Sequence, residues 1–367
     1  MTEPRPTYSV VAERPESVRE DLHRIWRENL TLGMSAEDKF RWLYEDAPET
    51  TDRVFVLRVR AADGTERVVG TKGVTVRRYW LANRDGWAAI SGDFAVEPAH
   101  RHLFPALQLA RTAREYVKER YEIGYGLPND KAEPVMLRAG FRVLGKAQRY
   151  VRVLRHAAYA ARLRDQEGVP PIVVRVAGIP GLARVAGAVA DVGRLALDAP
   201  RTLRAAAGHR LEWGRRPDAR FDALWAAARG EYGVVGARTS AFLAWRYPAA
   251  DLATLARRAD GSLRAYAVVQ AEEASGAACV RDLFGHLDSL GALLDLLLPA
   301  LWSRGANSVS VRFMGAPKVA RLLLDRGFVV RGKGRTVVAQ IGDRAREDHA
   351  PIADADRWHL FDADEDA

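Results

Sequence analysis

Two hydrophobic rhythms alternate along the first 155 residues. Val18, Leu22, Ile25, Trp26 and Leu30 recur at steps of three and four, which puts them on one face of a helix, and Pro15 suits its first turn. A second helix opens after Ser35, an N-cap with Asp38 three residues on, and carries Phe40, Trp42 and Tyr44 up to Pro48. The stretches 8–12, 53–60 and 67–79 read as strands, the last two joined through Ala62, Asp63 and Gly64. An apolar run from Ala88 then ends at Val96 and Pro98. After a short basic turn, Leu103, Leu107, Ala110, Ala113 and Val117 return at helical spacing. The pattern continues with a strand over 121–125, a helix over 131–139 stopped by Gly140, and two closing strands at 142–144 and 150–154.

The same landmarks recur later in the same order. Phe242, Trp245, Tyr247 and Pro248 echo Phe40, Trp42, Tyr44 and Pro48; Asp260 and Gly261 echo Asp63 and Gly64; Gly327 and Phe328 echo Gly140 and Phe141. A repeat of this length is a duplicated domain rather than a solenoid. The expected division is residues 1–155, a linker over 156–210, a second copy over 211–345 and an acidic tail over 346–367.

Charge sharpens the division. The chain of 367 residues has a net charge of +9, and between Arg149 and Arg216 there are 13 arginines against 5 acids, so nearly all the excess sits around the linker. That segment is expected to be helical, its apolar face packed across the two domains and its arginines in water, with peripheral contact to an anionic membrane as the alternative. The near absence of aromatic side chains from it speaks against nucleic acid. From Asp343 on there are 9 acids against 3 arginines, and Trp358 and Phe361 lead us to expect that this tail docks on the body, its acids near the linker or the cleft. The single cysteine, Cys279, and the absence of a leader-like start or long apolar run lead to a cytoplasmic expectation.

The junction after Val96 carries the chemistry. A helix that starts directly after a strand presents unpaired N–H groups and positive potential, suited to an anion such as a pyrophosphate. Val96, Pro98, Arg101, Phe104 and Ala106 resemble the acyl-CoA motif of the GNAT superfamily of N-acyltransferases, with Phe104 where that motif has its first glycine. The resemblance implies an α/β (α+β) fold: two GNAT-like domains, each a mixed, mostly antiparallel sheet flanked by helices. It also implies acetyl-CoA or another acyl-CoA as donor. Phe94, Ala95 and Val96 would offer backbone groups to the thioester, Arg101, His102, Leu103, Phe104 and Ala106 would form the anion cradle, and Asn129 would meet the pantetheine arm. Phe104 is expected to narrow the cradle. Glu97 and Asp93 are the candidate bases for the amine, and Tyr125 the candidate acid for the leaving thiolate. No metal site is expected. The second copy lacks the motif and is expected to shape the acceptor side.

The function implied is acyl transfer from acyl-CoA to a primary amine, with an amino sugar of cell-envelope polysaccharide as the acceptor suggested by tandem members. Two alternatives share the pattern: a tandem aminoacyltransferase using aminoacyl-tRNA, and a GNAT-fold binding protein without catalysis.

Overall fold

The computed structural model describes residues 7–49, 53–61, 63–156, 182–272 and 275–365. Part of the expected linker, 157–181, and the last two residues of the tail lie outside them. The strands are β1 (Thr7–Glu13), β2 (Val54–Arg60), β3 (Glu66–Leu81), β4 (Arg84–Val96), β5 (Ile123–Gly126), β6 (Arg142–Val153) and β7 (His209–Gly214). They continue with β8 (Val234–Gly236), β9 (Asp251–Arg257), β10 (Leu263–Glu272), β11 (Ala277–Gly285), β12 (Ser308–Gly315), β13 (Val329–Ile341) and β14 (His359–Leu360). The expected pair of closing strands, 142–144 and 150–154, is one strand, β6, because β13 pairs along most of its length.

The strands form one mixed sheet in the order β1-β2-β3-β4-β5-β13-β6-β12-β11-β10-β9-β7. Only β4 with β5 and β11 with β12 pair in parallel among the described strand pairs. The order mirrors itself about the contact between β13 and β6. On either side of that contact β13 lies against β5, and β6 against β12. Cutting at 155 and 211 therefore divides the chain but not the sheet.

The helices are α1 (Arg19–Asn29), α2 (Ala36–Phe40), α3 (Leu103–Arg120), α4 (Glu133–Ala139), α5 (Leu182–Gly208), α6 (Ala219–Ala228), α7 (Ser240–Arg246), α8 (Leu290–Ser303), α9 (Pro317–Leu324) and α10 (His349–Ala353). Local chemistry sets their ends as the sequence suggests. Ser35 Oγ accepts from Asp38 N at 3.0 Å, and Gly140 closes α4 at φ 104°. On one sheet face α1 and α2 bury Leu22, Ile25, Trp26 and Phe40 against Val54, Val56 and Val68. On the other, Leu109, Ala113 and Val117 of α3 cover Phe55, Val69 and Val96.

Trp42 and Trp245 meet as a reciprocal pair. The rings of Trp42 and Trp245 stack with centroids 4.7 Å apart, and each indole N–H donates to the other residue's carbonyl, at 3.2 and 2.7 Å. The acidic tail is core rather than fringe, since Trp358, Leu360 and Phe361 are buried.

Candidate active site

Parallel pairing holds β4 to β5 through only three positions, Ala88↔Ile123, Ala89↔Gly124 and Ile90↔Tyr125. Beyond Ile90, β4 runs on to Val96, and among the described residues no strand pairs with that edge. A bulge at Asp93, whose φ is 46°, shifts the β3 register between Thr71 and Gly73 and re-aims the backbone there. The result is a wedge open between two diverging strands. At its mouth Ser91 Oγ is buried with no hydrogen-bond partner among the described residues, and a ligand amide would satisfy it. α3 begins seven residues after β4 ends, and its first N–H groups lack intrahelical partners.

The expected cradle residues divide on inspection. His102 is the N-cap of α3 in an extended conformation, and Leu103 opens the helix. Phe104 is 69% exposed, so it does not narrow the loop as expected from its size; the helix start turns its ring into solvent. Arg101 folds back, its Nε donating to the Val96 carbonyl at 2.7 Å and its Nη2 to Asn29 at 2.8 Å. That engages both the arginine and one backbone acceptor expected at the thioester. Phe94 packs beside Lys72, whose Nζ lies 4.7 Å from the ring centroid, while Ala95 is buried against α1 and α2. Ala106 packs on the core under α3. Asn129 makes an Asx-turn, its Oδ1 accepting from the N–H groups of Lys131 and Ala132.

The three expected catalytic groups are tied elsewhere. Glu97 Oε1 accepts from Arg24 and Arg67, each at 2.5 Å. Burial alone would raise its pKa, but the two guanidiniums outweigh that and hold it below the ordinary range, which makes it a weak base. Asp93 forms a buried ion pair with Lys39 at 3.0 Å, which anchors the bulge to α2. Tyr125 donates to the Asp364 carbonyl at 2.7 Å and touches Tyr79 Oη at 2.5 Å. Desolvation first, and Asp364 second, push its pKa far up. A phenol sealed under the tail has no path to a thiolate.

A residue that the sequence did not single out fits the base better. Glu49 lines a small cavity with Leu43, Thr75, Arg77 and Trp245. Thr75 pairs with Ile90, the last β4 residue held by β5, so this cavity lies one strand from the wedge mouth. Desolvation raises the Glu49 pKa against the pull of Arg77 and Arg78. Nothing in its sequence surroundings flags it, because the wall opposite comes from the other half.

A second parallel pair, β11 and β12, also parts, and there the gap is filled. β11 and β12 pair in parallel from Ala277↔Ser308 to Val280↔Val311 and then part. The tail enters there. β14 pairs with the end of β12, His359 Nε2 lies 2.7 Å from the Leu283 carbonyl of β11, and Asp362 bridges Arg281 at 2.8 Å and Arg312 at 3.0 Å. Gly315 permits this at φ 149°, since a Cβ would lie 1.8 Å from the Trp358 carbonyl oxygen. The tail's acids thus meet arginines of the second half, with Arg77 of the first bonding the Ala363 and Glu365 carbonyls. Among the described residues no acid of the tail pairs with the linker.

No family model matches the sequence, and no curated protein matches it significantly. Solved structures do resemble it. A probable N-acyltransferase from Enterococcus faecalis aligns over 92% of this chain and 73% of its own, with TM-score 0.59 and 12% identity. A GCN5-related N-acetyltransferase from Kribbella flavida aligns over 91% and 72%, with TM-score 0.57 and 16% identity. A GCN5-related glucosamine N-acetyltransferase region of a fungal β-N-acetylglucosaminidase gives TM-score 0.52 at 12% identity, covering 92% of this chain and 38% of that one. The fold is that of the GNAT N-acetyltransferases.

Proposed function

We propose that this chain is an N-acyltransferase that binds acyl-CoA in its first half and transfers the acyl group to a primary amine. The observation that carries the reading is the contrast between its two wedges: the first opens beside a helix N-terminus, and the second is filled by the chain's own tail. The pantetheine would run between β4 and β5, with Ser91 Oγ available to its amides, and the pyrophosphate would meet the first turn of α3. Glu49 would take the proton from the ammonium, its desolvated carboxyl being a better base than Glu97. The mirrored strand order and the reciprocal tryptophan pair support a duplicated GNAT unit whose halves exchanged their last strands. An amino sugar is the acceptor class we favour, in keeping with the glucosamine named for the fungal relative.

Leu103→Pro tests the donor site. Proline is tolerated at the first helical position, and His102 already has the extended conformation that a following proline requires. The variant should keep its melting temperature and lose one anion-binding N–H, weakening acetyl-CoA about tenfold in calorimetry. Unchanged affinity, or tighter binding of tRNA than of acetyl-CoA by the wild type, would reject the reading. Glu49→Gln should lower kcat about a hundredfold while leaving the acetyl-CoA affinity unaltered.

A further inference from the structure

The helix α5 is turned the wrong way for a helix in water. Both of its carboxylates face the protein. Asp198 pairs with Arg152, and Asp191 accepts from the His156 N–H at 2.8 Å with the His156 ring nitrogen 2.7 Å away. Thr202 donates to the Asp295 carbonyl at 3.0 Å, and Arg201 to the Asp325 carbonyl at 2.8 Å. Over 182–208 this differs from the expectation of an inward apolar face; 157–181 lie outside the described residues.

The apolar face points out. Val185, Val189, Val192, Ala196, Ala199, Leu203 and Ala207 recur at steps of three and four, one continuous stripe along the helix. Val185, Val189, Val192, Leu197 and Leu203 are each between 61% and 71% exposed. Both helix carboxylates are engaged on the inner side, so the outward surface of the helix carries no acid, while Arg204 is exposed at its edge. Four large apolar side chains along one stripe, with Leu197 exposed beside them, an arginine at the edge and no carboxylate, match an interface that is apolar within and anionic at its rim.

We propose that this face of α5 docks on an anionic lipid surface, with the helix axis lying in the plane of the membrane. No described helix is long and apolar enough to cross a membrane, so contact would be peripheral. The stripe is too small for a second copy to be the natural occupant. A helix of 27 residues offers a strip about 40 Å by 10 Å, or about 800 Å² over two copies, below the roughly 1,200 Å² of stable interfaces. Lipid binding makes no such demand. Valines and leucines enter the headgroup boundary, and Arg204 adds attraction that fades with salt.

The experiment is co-sedimentation of the full chain with vesicles of phosphatidylglycerol and phosphatidylcholine in equal parts, and with phosphatidylcholine alone. The wild type should sediment with the first and not the second, and high salt should reduce the bound fraction. Val189→Asp combined with Val192→Asp should lower the bound fraction at least tenfold. Both positions are about two-thirds exposed, so the melting curve should not move. Three results would overturn the proposal: no sedimentation of the wild type with anionic vesicles, binding that the double variant leaves intact, or equal binding to neutral vesicles. A stable dimer in light scattering that the double variant splits would assign the face to a second copy instead.

Discussion

Replacing Arg238 by methionine should destabilise the protein by about 3–5 kcal/mol, the range for removing one partner from a buried ion pair. Arg238 is 1% exposed and holds two carboxylates at once. Its Nε donates to Asp282 at 2.9 Å, and its Nη1 and Nη2 reach Asp364 at 2.9 and 2.6 Å in a fork. Desolvation alone would raise the pKa of Asp364, but Arg238 outweighs it and the net direction is down, whereas Asp282 stays raised by burial. Without the guanidinium two carboxylates would be stranded in the core, joining β11 to a tail that no longer has a reason to stay. Denaturant titration reads the loss as a lower midpoint with the slope unchanged. Adding Asp282→Asn should recover part of it by removing one stranded charge. A single variant that unfolds within about 1 kcal/mol of wild type would show that the tail is held by Trp358 and Phe361 alone.

Acid should loosen the same tail earlier than carboxylate chemistry predicts, because of His359. It is buried among Tyr232, Phe284, Phe313 and Phe361, and its Nδ1 has no hydrogen-bond partner among the described residues. Desolvation, against the favourable Leu283 carbonyl, lowers its pKa to about 3. The unfolded chain therefore takes up a proton below about pH 6.5 that the native chain refuses, and stability falls as pH drops from there toward 3. At about pH 4 the loss would be about 3 kcal/mol, at 1.36 kcal/mol per pKa unit. Asp364 acts in the same direction but lower on the pH scale: its depressed pKa gives stability that is complete above about pH 3.8 and lost only below that. His359→Gln keeps a donor for Leu283 and cannot titrate. Its stability should fall less between pH 6.5 and 4 than the wild type's; a slope equal to the wild type's would place the titrating group elsewhere.

What was legible in the sequence was mostly local. The steps of three and four in α1 and α3, Ser35 as a cap, Gly140 as a stop and the strand ending at Val96 report on interactions within a few residues, and these form as the pattern implies. Spaced landmarks such as Trp42 and Trp245 suggested a repeat, since equivalent positions in like units need like side chains. The candidate site was only half legible. The helix start after β4 was visible, but the partners of Glu97, Asp93 and Tyr125 were not, because Arg24, Arg67, Lys39 and Asp364 come from elsewhere in the chain.

Three features were decided by the tertiary structure alone. The placement of β6 beside β12 and of β13 beside β5 cannot be read from either strand, because each carries the same alternation whichever neighbour it finds. The tail's place in the second wedge depends on where β11 and β12 part, and Glu49 becomes a candidate only because Trp245 closes its cavity. The helix α5 is the plainest case. Its sequence determined an amphipathic helix with one apolar and one charged face. Which face turned inward was settled by Arg152, Asp295 and Asp325 on the body, which offered charge and carbonyl partners that an apolar stripe could not use.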